Sequence, residues 1–562
     1  MTGSQEATAV AHTPRTIAVA MVAYGLSGTA ALTYEIAWMR ELSSMFGATA
    51  YASGILLAAF MTGLGLGALL GSRIARTAEH PLRSAAHAEL AVAVCSLVTL
   101  VALRVLPGTY FDLVKMTSMS GAAFLALQFA VAFIVMLPPT IAMGATYPLA
   151  IEALARRQAL GNWAGRLYST NTAGAIAGSL MTSFLIIPLV GLKGALVTAA
   201  ALSSVAALIF GAMSAHTGAR PLSRSAEFAL VPAVLLAVLL VPSPTGAPLG
   251  IGQVYFYESS EQYRRLADAS TVLYEEEGVY SRVTVYQNPW GVRTLANGAL
   301  DEGNSDDYDR TTTTLLALGP TASLESTGSA LVVGLGTGYT SQTYDRLGFD
   351  HVTTVEINPE VLPAATYFIG EIPEDGSWRV IVDDARAHLL TSTDSYDAIT
   401  SEPSWPWSSG VAALFTEEFM LAARSRLNPG GVYAQWLPNY LLEPADVAMM
   451  YKTMRRVYPR VDVWAINFPE DSESELLLIG HLDARGPSME ETATRVGGLM
   501  PAFAADNATL TPDSLTPYSR TDELEAALDD PSIPVNTDDH SRLEYRTFRN
   551  LVNNVIAGSR AR

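Results

Sequence analysis

Apolar positions follow two patterns along the chain, and the change falls near residue 244. Before it, seven long apolar runs follow one another, at roughly 16–38, 50–71, 87–106, 121–143, 168–190, 194–213 and 226–242. Most reach the ~20 residues that a helix needs to cross a bilayer. The last is short and holds Pro232, and the first is too long and too weakly flanked for a cleaved signal peptide. Small residues recur at helix-packing spacing in Gly63-Leu64-Gly65-Leu66-Gly67 and Gly174-Ala175-Ile176-Ala177-Gly178, which lets apolar helices approach closely. The expectation for residues 1–244 is a polytopic α-helical membrane bundle of about seven spans.

Beyond residue 244 the apolar runs shorten and alternate with polar turns. A Pro/Gly linker, Ser243-Pro244-Thr245-Gly246-Ala247-Pro248-Leu249-Gly250, opens this half. Val272 to Tyr274, Val279 to Tyr286 and Val292 to Leu295 read as short strands. Between them lie the turn signals Glu277-Gly278 and Asn288-Pro289-Trp290-Gly291, so 245–320 is expected to hold a small antiparallel β-module. A helix is expected over Asp307 to Leu318, ending at Gly319-Pro320. From 321 to 562 strands alternate with helices. The strands are Ala330 to Val333, Val352 to Val355, Trp378 to Val382, Tyr396 to Thr400 and Val432 to Trp436, with a helix near Thr416 to Leu427 before the last. That alternation implies an α/β Rossmann-like domain with a parallel, doubly wound sheet, whose ligands bind at the carboxyl ends of the strands.

The candidate chemistry lies at those ends. Val332-Val333-Gly334-Leu335-Gly336-Thr337-Gly338 enters a helix, and the next strand ends at Glu356, about twenty positions on. The glycines let a ligand approach the backbone, and the carboxylate can accept from two ribose hydroxyls. GxGxG spacing, rather than GxGxxG, favours an adenosyl-sulfonium ligand over NAD. Asp384 and Glu402 fall at the ends of the next two strands.

Charge sharpens the division. Residues 1–244 carry 13 Lys/Arg and 8 Asp/Glu, and the rest 22 and 46, which splits the net −19 into about +5 and −24. The acidic half would attract polyamines, and no nucleic-acid partner is expected. The single cysteine, Cys95, excludes an intramolecular disulfide and a cysteine-based metal site, and no metal is expected. Arginines cluster in the connections on the N-terminal side, which puts the N-terminus in the cytoplasm of a multi-pass cell-membrane protein. The side of the globular half and a homo-oligomeric state stay open. Glu35 and Gln128, inside apolar runs, could line a polar path.

The globular half resembles the spermidine synthase (polyamine aminopropyltransferase) family, a branch of the class I methyltransferase fold, and the whole chain resembles its membrane-fused form. Beyond the nucleoside motifs, the resemblance rests on Tyr34-Glu35, Met143-Gly144-Ala145-Thr146-Tyr147-Pro148 and Asn171-Thr172-Ala173-Gly174. It also rests on Asn536-Thr537-Asp538-Asp539 and Leu543-Glu544-Tyr545. It implies that Gly334, Gly336, Gly338, Glu356 and the Asp384-Ala385 pair bind the adenosyl nucleoside. The co-substrate would be decarboxylated S-adenosylmethionine, with no permanently bound cofactor. The amine site departs from the family pattern. Glu402 replaces its catalytic Asp, Trp405 replaces a second acid, Asn297-Gly298-Ala299-Leu300-Asp301 replaces an Asp-Gly-x-x-Gln element, and Arg310-Thr311-Thr312 replaces a Tyr-His-Glu triplet. The expected roles are Glu402 as base, Asp301 or Asp306 as ligand to a far ammonium, and Trp405 as a face for a cation, although Trp405 and Trp407 could equally pack. A methyltransferase using intact S-adenosylmethionine on an unknown acceptor, and a non-catalytic membrane sensor of nucleosides or polyamines, are the alternatives.

Overall fold

The computed structural model describes residues 14–116, 120–155, 160–215, 233, 236 and 250–557, with short gaps at 251–252, 255–256, 374–375, 469–470 and 485. Apart from residues 233 and 236, the expected seventh apolar run lies outside them, as does most of the linker. Contacts divide the described chain into two compact units. The first holds most of the N-terminal helices, and the second holds residues from 250 onward together with 47–49 and 111–122.

Helices α1 (Pro14–Phe46), α2 (Ala50–Thr77), α3 (Pro81–Met116), α4 (Gly121–Ala155), α5 (Leu160–Met181) and α6 (Ile187–Ala215) make up the N-terminal region. Four helical stretches are long and apolar enough to cross a membrane, and α3 joins them as a bent pair. One of the four runs from Ala164 to Ala215 through a π-turn, but Gly191 at φ +68° divides it. The two expected runs 168–190 and 194–213 therefore separate at a residue without a Cβ. The small-residue patches mark close approaches, as their spacing implies. A Cβ on Gly67 of α2 would stand 2.2 Å from the Ile141 carbonyl oxygen of α4, and one on Gly174 of α5 would stand 2.0 Å from that of Gly25 in α1.

The second unit opens with α7 (Ser260–Ala269) and an antiparallel sheet in the order β1 (Thr271–Glu277), β2 (Arg282–Gln287), β3 (Arg293–Asn297) and β4 (Leu300–Asn304). The fourth strand was not expected. It exists because Gly298, at φ +63°, closes a two-residue hairpin that pairs Asn297 with Leu300. Helix α8 (Asp307–Ala322) runs through the expected stop at Gly319-Pro320. Gly319 permits packing there rather than a break, since a Cβ would lie 2.8 Å from the Leu477 side chain.

A second sheet follows from β5 (Ser329–Val333), α9 (Tyr339–Arg346), β6 (His351–Glu356), α10 (Val361–Ile369), β7 (Trp378–Val382), α11 (Ala385–Thr391), β8 (Tyr396–Ser401), α12 (Glu417–Arg424) and β9 (Leu427–Leu437). It continues through α13 (Pro444–Val457), β10 (Arg460–Phe468), β11 (Asp471–His481), α14 (Met489–Leu499) and β12 (Leu515–Pro517). The strand order is β12-β10-β11-β9-β8-β5-β6-β7. Strands β5 to β9 are parallel as expected, but β11, β10 and β12 extend the sheet antiparallel. The stretch Asn428 to Gly431, expected to end a helix, lies inside β9, where the pairing with β8 slips between Tyr396 and Ala398. Side chains alternate between two buried layers. Ala330 and Val332 face one with Leu315 and Leu318 of α8, while Leu331 and Val333 face the other with Phe419 and Met420 of α12. A sheet buried on both faces leaves its strand ends as the place for a polar site. Helix α15 (Thr521–Ala527) and helix α16 (Arg542–Ala557) complete the unit.

Candidate active site

Strand register fixes the rim. Val333 pairs with Val355 on one side and Ser401 on the other, and Glu356 pairs with Val382. Gly334, Glu356, Asp383 and Glu402 are the residues at or just beyond those pairs, so the parallel ladder alone brings them together. The strand order reverses between β5 and β8, where the following helices leave on opposite faces and open a crevice.

The glycine loop is held from both sides. Gly334, at φ +90°, donates its N–H to the Val355 carbonyl at 2.9 Å, and Glu402 donates its N–H to the Val333 carbonyl at 3.3 Å. A Cβ on Gly336, at φ +49°, would meet nothing within 4 Å, so the loop is open where a ligand would rest. Glu356 braces this loop. Its Oε2 accepts from the Leu335 N–H at 2.9 Å and its Oε1 from the Asn358 N–H at 2.8 Å. Burial raises its pKa, and these backbone donors oppose the rise. The Ile357 and Gly336 N–H groups also act on this carboxylate. Asp383 donates its N–H to the Glu356 carbonyl at 3.1 Å, which sets the start of α11 beside the same rim. There Asp384 is exposed and caps α11 by accepting from the Ala387 N–H at 2.8 Å, and Ala385 is buried.

Glu402 is half-buried, and loss of hydration, reinforced by the nearby Glu475 carboxylate, pushes its pKa up to about 7. The Thr340 hydroxyl donates to its Oε2 at 2.6 Å and opposes that rise. An acid poised there can exchange a proton near neutral pH.

Sequence reasoning placed Asp301 and Asp306 near the amine and missed three further acids. Asp301 lies on β4, accepts from the Tyr286 hydroxyl at 3.0 Å and is pushed up by burial to about 6. Asp306 is the N-cap of α8, its Oδ1 accepting from the Asp309 N–H at 3.0 Å. Glu302, next to Asp301 on β4, accepts from the Ser404 hydroxyl at 2.6 Å. It is pushed up to about 7 by burial, with Glu356 and Asp301 adding repulsion. Asp309 accepts from the Asn304 N–H at 2.9 Å and is raised well above the usual carboxylate range by burial, with Glu402, Asp306 and Glu475 adding repulsion. Glu475 of β11 accepts from the Thr312 hydroxyl at 2.7 Å and from the Trp436 indole at 3.1 Å. Carboxyls from four strands and α8 thus surround the crevice, an arrangement suited to a ligand with more than one positive charge. Trp405 is half-buried, 6.0 Å from the Trp407 ring and 5.9 Å from that of Tyr440, while Trp407 is 1% exposed and packs. Among the described residues, no cluster of His, Cys, Asp or Glu has metal-holding geometry.

The spermine/spermidine synthase domain matches residues 313–479, from α8 through β11. The chain thus carries a spermine/spermidine synthase domain in its globular half. Two curated relatives show how far the likeness extends. The polyamine aminopropyltransferase of Corynebacterium efficiens is 27% identical over 73% of this chain and 75% of its own length. That of Mycobacterium tuberculosis is 25% identical over 80% of this chain and 83% of its own. Coverage of that extent exceeds the globular half, so both likenesses run into the helical half. Among solved structures, the spermidine synthase of Thermotoga maritima is 18% identical, covers 38% of this chain and 74% of its own, and has a TM-score of 0.34.

Proposed function

We propose that this chain is a polyamine aminopropyltransferase. It takes the aminopropyl group of decarboxylated S-adenosylmethionine and passes it to an amine such as putrescine. The observation that carries this reading is Glu402, half-buried, poised near pH 7 and set at the end of β8 across from the glycine loop. The reaction needs a neutral amine nitrogen in line with the carbon that leaves the sulfonium. As the new C–N bond forms and the C–S bond breaks, the nitrogen loses a proton and methylthioadenosine departs. Glu402 accepts that proton and orients the lone pair beforehand. Glu356 holds the ribose, Gly336 lets the nucleoside lie against the backbone, and Asp384-Ala385 lies on the adenine side. The remaining carboxyls, Asp301 and Asp309 foremost, receive the far ammonium of a diamine. The same acids disfavour the carboxylate of intact S-adenosylmethionine, which supports the decarboxylated donor over a methyl-transfer reading.

The long apolar helices support membrane anchoring, because six of the seven apolar runs fall on described helices and many of their large apolar side chains are exposed. Leu189 is 71% exposed and Phe184 66%.

The test is product formation by the purified full-length protein, given decarboxylated donor and a panel of amines with putrescine first. Methylthioadenosine and the lengthened amine should appear together. A protein that binds the donor and lengthens no amine, or that methylates an acceptor from intact S-adenosylmethionine, would refute the reading.

A further inference from the structure

The helical unit buries a carboxyl that the reaction above does not use. Glu89, on α3, is 1% exposed. The Ser27 hydroxyl of α1 donates to its Oε1 at 2.5 Å. The Thr146 hydroxyl of α4, which also donates to the Ala142 carbonyl at 3.3 Å, and the Ser203 hydroxyl of α6 lie against the same carboxyl. Those three side chains are 7%, 0% and 1% exposed. Ser203 Oγ makes no hydrogen bond of ordinary geometry, so its capacity is unspent. Among the described residues no cationic side chain pairs with Glu89. Thr146 belongs to the Met143 to Pro148 motif, and its neighbour Tyr147 stacks at 5.8 Å on Tyr24, whose hydroxyl feels the Glu89 charge.

A lone carboxylate among apolar helices is costly unless something positive neutralises it. Four helices each bring an oxygen to one point, and no nitrogen or sulfur ligand joins them. An all-oxygen set suits a hard cation, and one negative charge balances one positive charge. We propose that Glu89, Ser27, Thr146 and Ser203 form a binding site for one monovalent metal cation of sodium size, a second function independent of the nucleoside site.

The experiment is binding of radiolabelled sodium to the purified full-length protein in detergent, together with carbodiimide modification of Glu89 read by mass spectrometry. Binding should saturate at one ion per chain, and E89Q should abolish it. S203A, which alters no charge and serves if E89Q does not fold, should weaken it about tenfold. Sodium should protect Glu89 from carbodiimide, and magnesium should not. No saturable sodium binding by the wild type, or unchanged binding by S203A and E89Q, overturns the proposal. So does carbodiimide labelling that follows pH alone and ignores sodium, which would mark a simple protonated carboxyl.

Discussion

Thr340 donates its hydroxyl to Oε2 of Glu402 across 2.6 Å, so the first turn of α9, just past the glycine loop, holds the acid at the end of β8. On the proposed reading, the bond would couple nucleoside binding to proton acceptance, because both would depend on how this turn sits.

The coupling has a kinetic signature. Glu402 works as a base only when ionised, so activity should rise with pH through about 7. Glu402→Gln keeps the shape and removes the acceptor. Turnover should fall by roughly 10²–10⁴ with donor affinity nearly unchanged, and the limb near pH 7 should vanish. Thr340→Val removes the donor that favours the carboxylate, so that limb should move to higher pH. A pH–rate profile identical in wild type and Thr340→Val would remove Glu402 as the group that titrates.

Nucleoside binding should depend on Glu356 for two reasons. It offers lone pairs to the ribose, and it braces the loop through the Leu335 and Asn358 N–H groups. Glu356→Ala should abolish methylthioadenosine binding in calorimetry while far-ultraviolet circular dichroism shows the fold intact. Gly336→Ala separates the ligand's need from the fold's. Its Cβ would point into open space in the free chain, although φ +49° adds mild strain, and it would collide with a nucleoside lying on the loop. Unchanged affinity in either variant would displace the site from this loop.

The strand-end geometry proposed for the nucleoside was legible in the sequence because its logic is local. A strand, a glycine turn, a helix and a strand-end acid follow in order, and parallel register then aligns Gly334, Glu356 and Glu402 without further information. The acid cluster proposed for the amine was not, because distant segments build it. Glu302 reaches the crevice through the β3–β4 hairpin, whose Gly298 turn was the missed signal, and Glu475 arrives on an antiparallel strand beyond the region where alternation with helices guides the eye. Asp306 carries a local role as well. Its spacing matched a functional position, yet an Asp just before a helical run, with Asp309 three residues on, is first an N-cap signal. Glu89 lay within an apolar run whose length and hydropathy gave no hint of partners on three other helices.

That distinction can be measured. Asp306→Ala should cost about 1 kcal/mol of stability through the lost cap and leave the Michaelis constants close to wild type. Asp301→Asn should instead raise the Michaelis constant for a diamine and spare that for the nucleoside donor. Asp301 keeps a burial-raised carboxyl with a tyrosine partner, whereas Asp306 spends its side chain on the backbone. A large rise in the amine constant on Asp306→Ala, with Asp301→Asn silent, would reverse the two assignments.

The last prediction concerns stability and pH in the absence of ligand. Asp301, Glu302 and Glu402 are pushed up to about 6, about 7 and about 7, chiefly by burial. The folded chain therefore holds protons that the unfolded chain has already released once the pH passes the ordinary carboxylate range. Where the folded state binds more protons, stability falls as pH rises, so the benefit of these acids is full below about pH 4 and is lost through about pH 7. The ligand-free protein should show a falling thermal midpoint between pH 5 and 8. Glu302→Gln can still accept from Ser404 and no longer ionises beside Glu356 and Asp301, so it should be more stable than wild type at the upper end of that range and nearly equal at the lower. Putrescine should stabilise the wild type more at the upper end, where its ammonium groups meet ionised carboxyls. A wild-type-to-Glu302→Gln difference that stays constant across the range would show that Glu302 does not ionise within it, and that its carboxyl is not part of an amine-binding crevice.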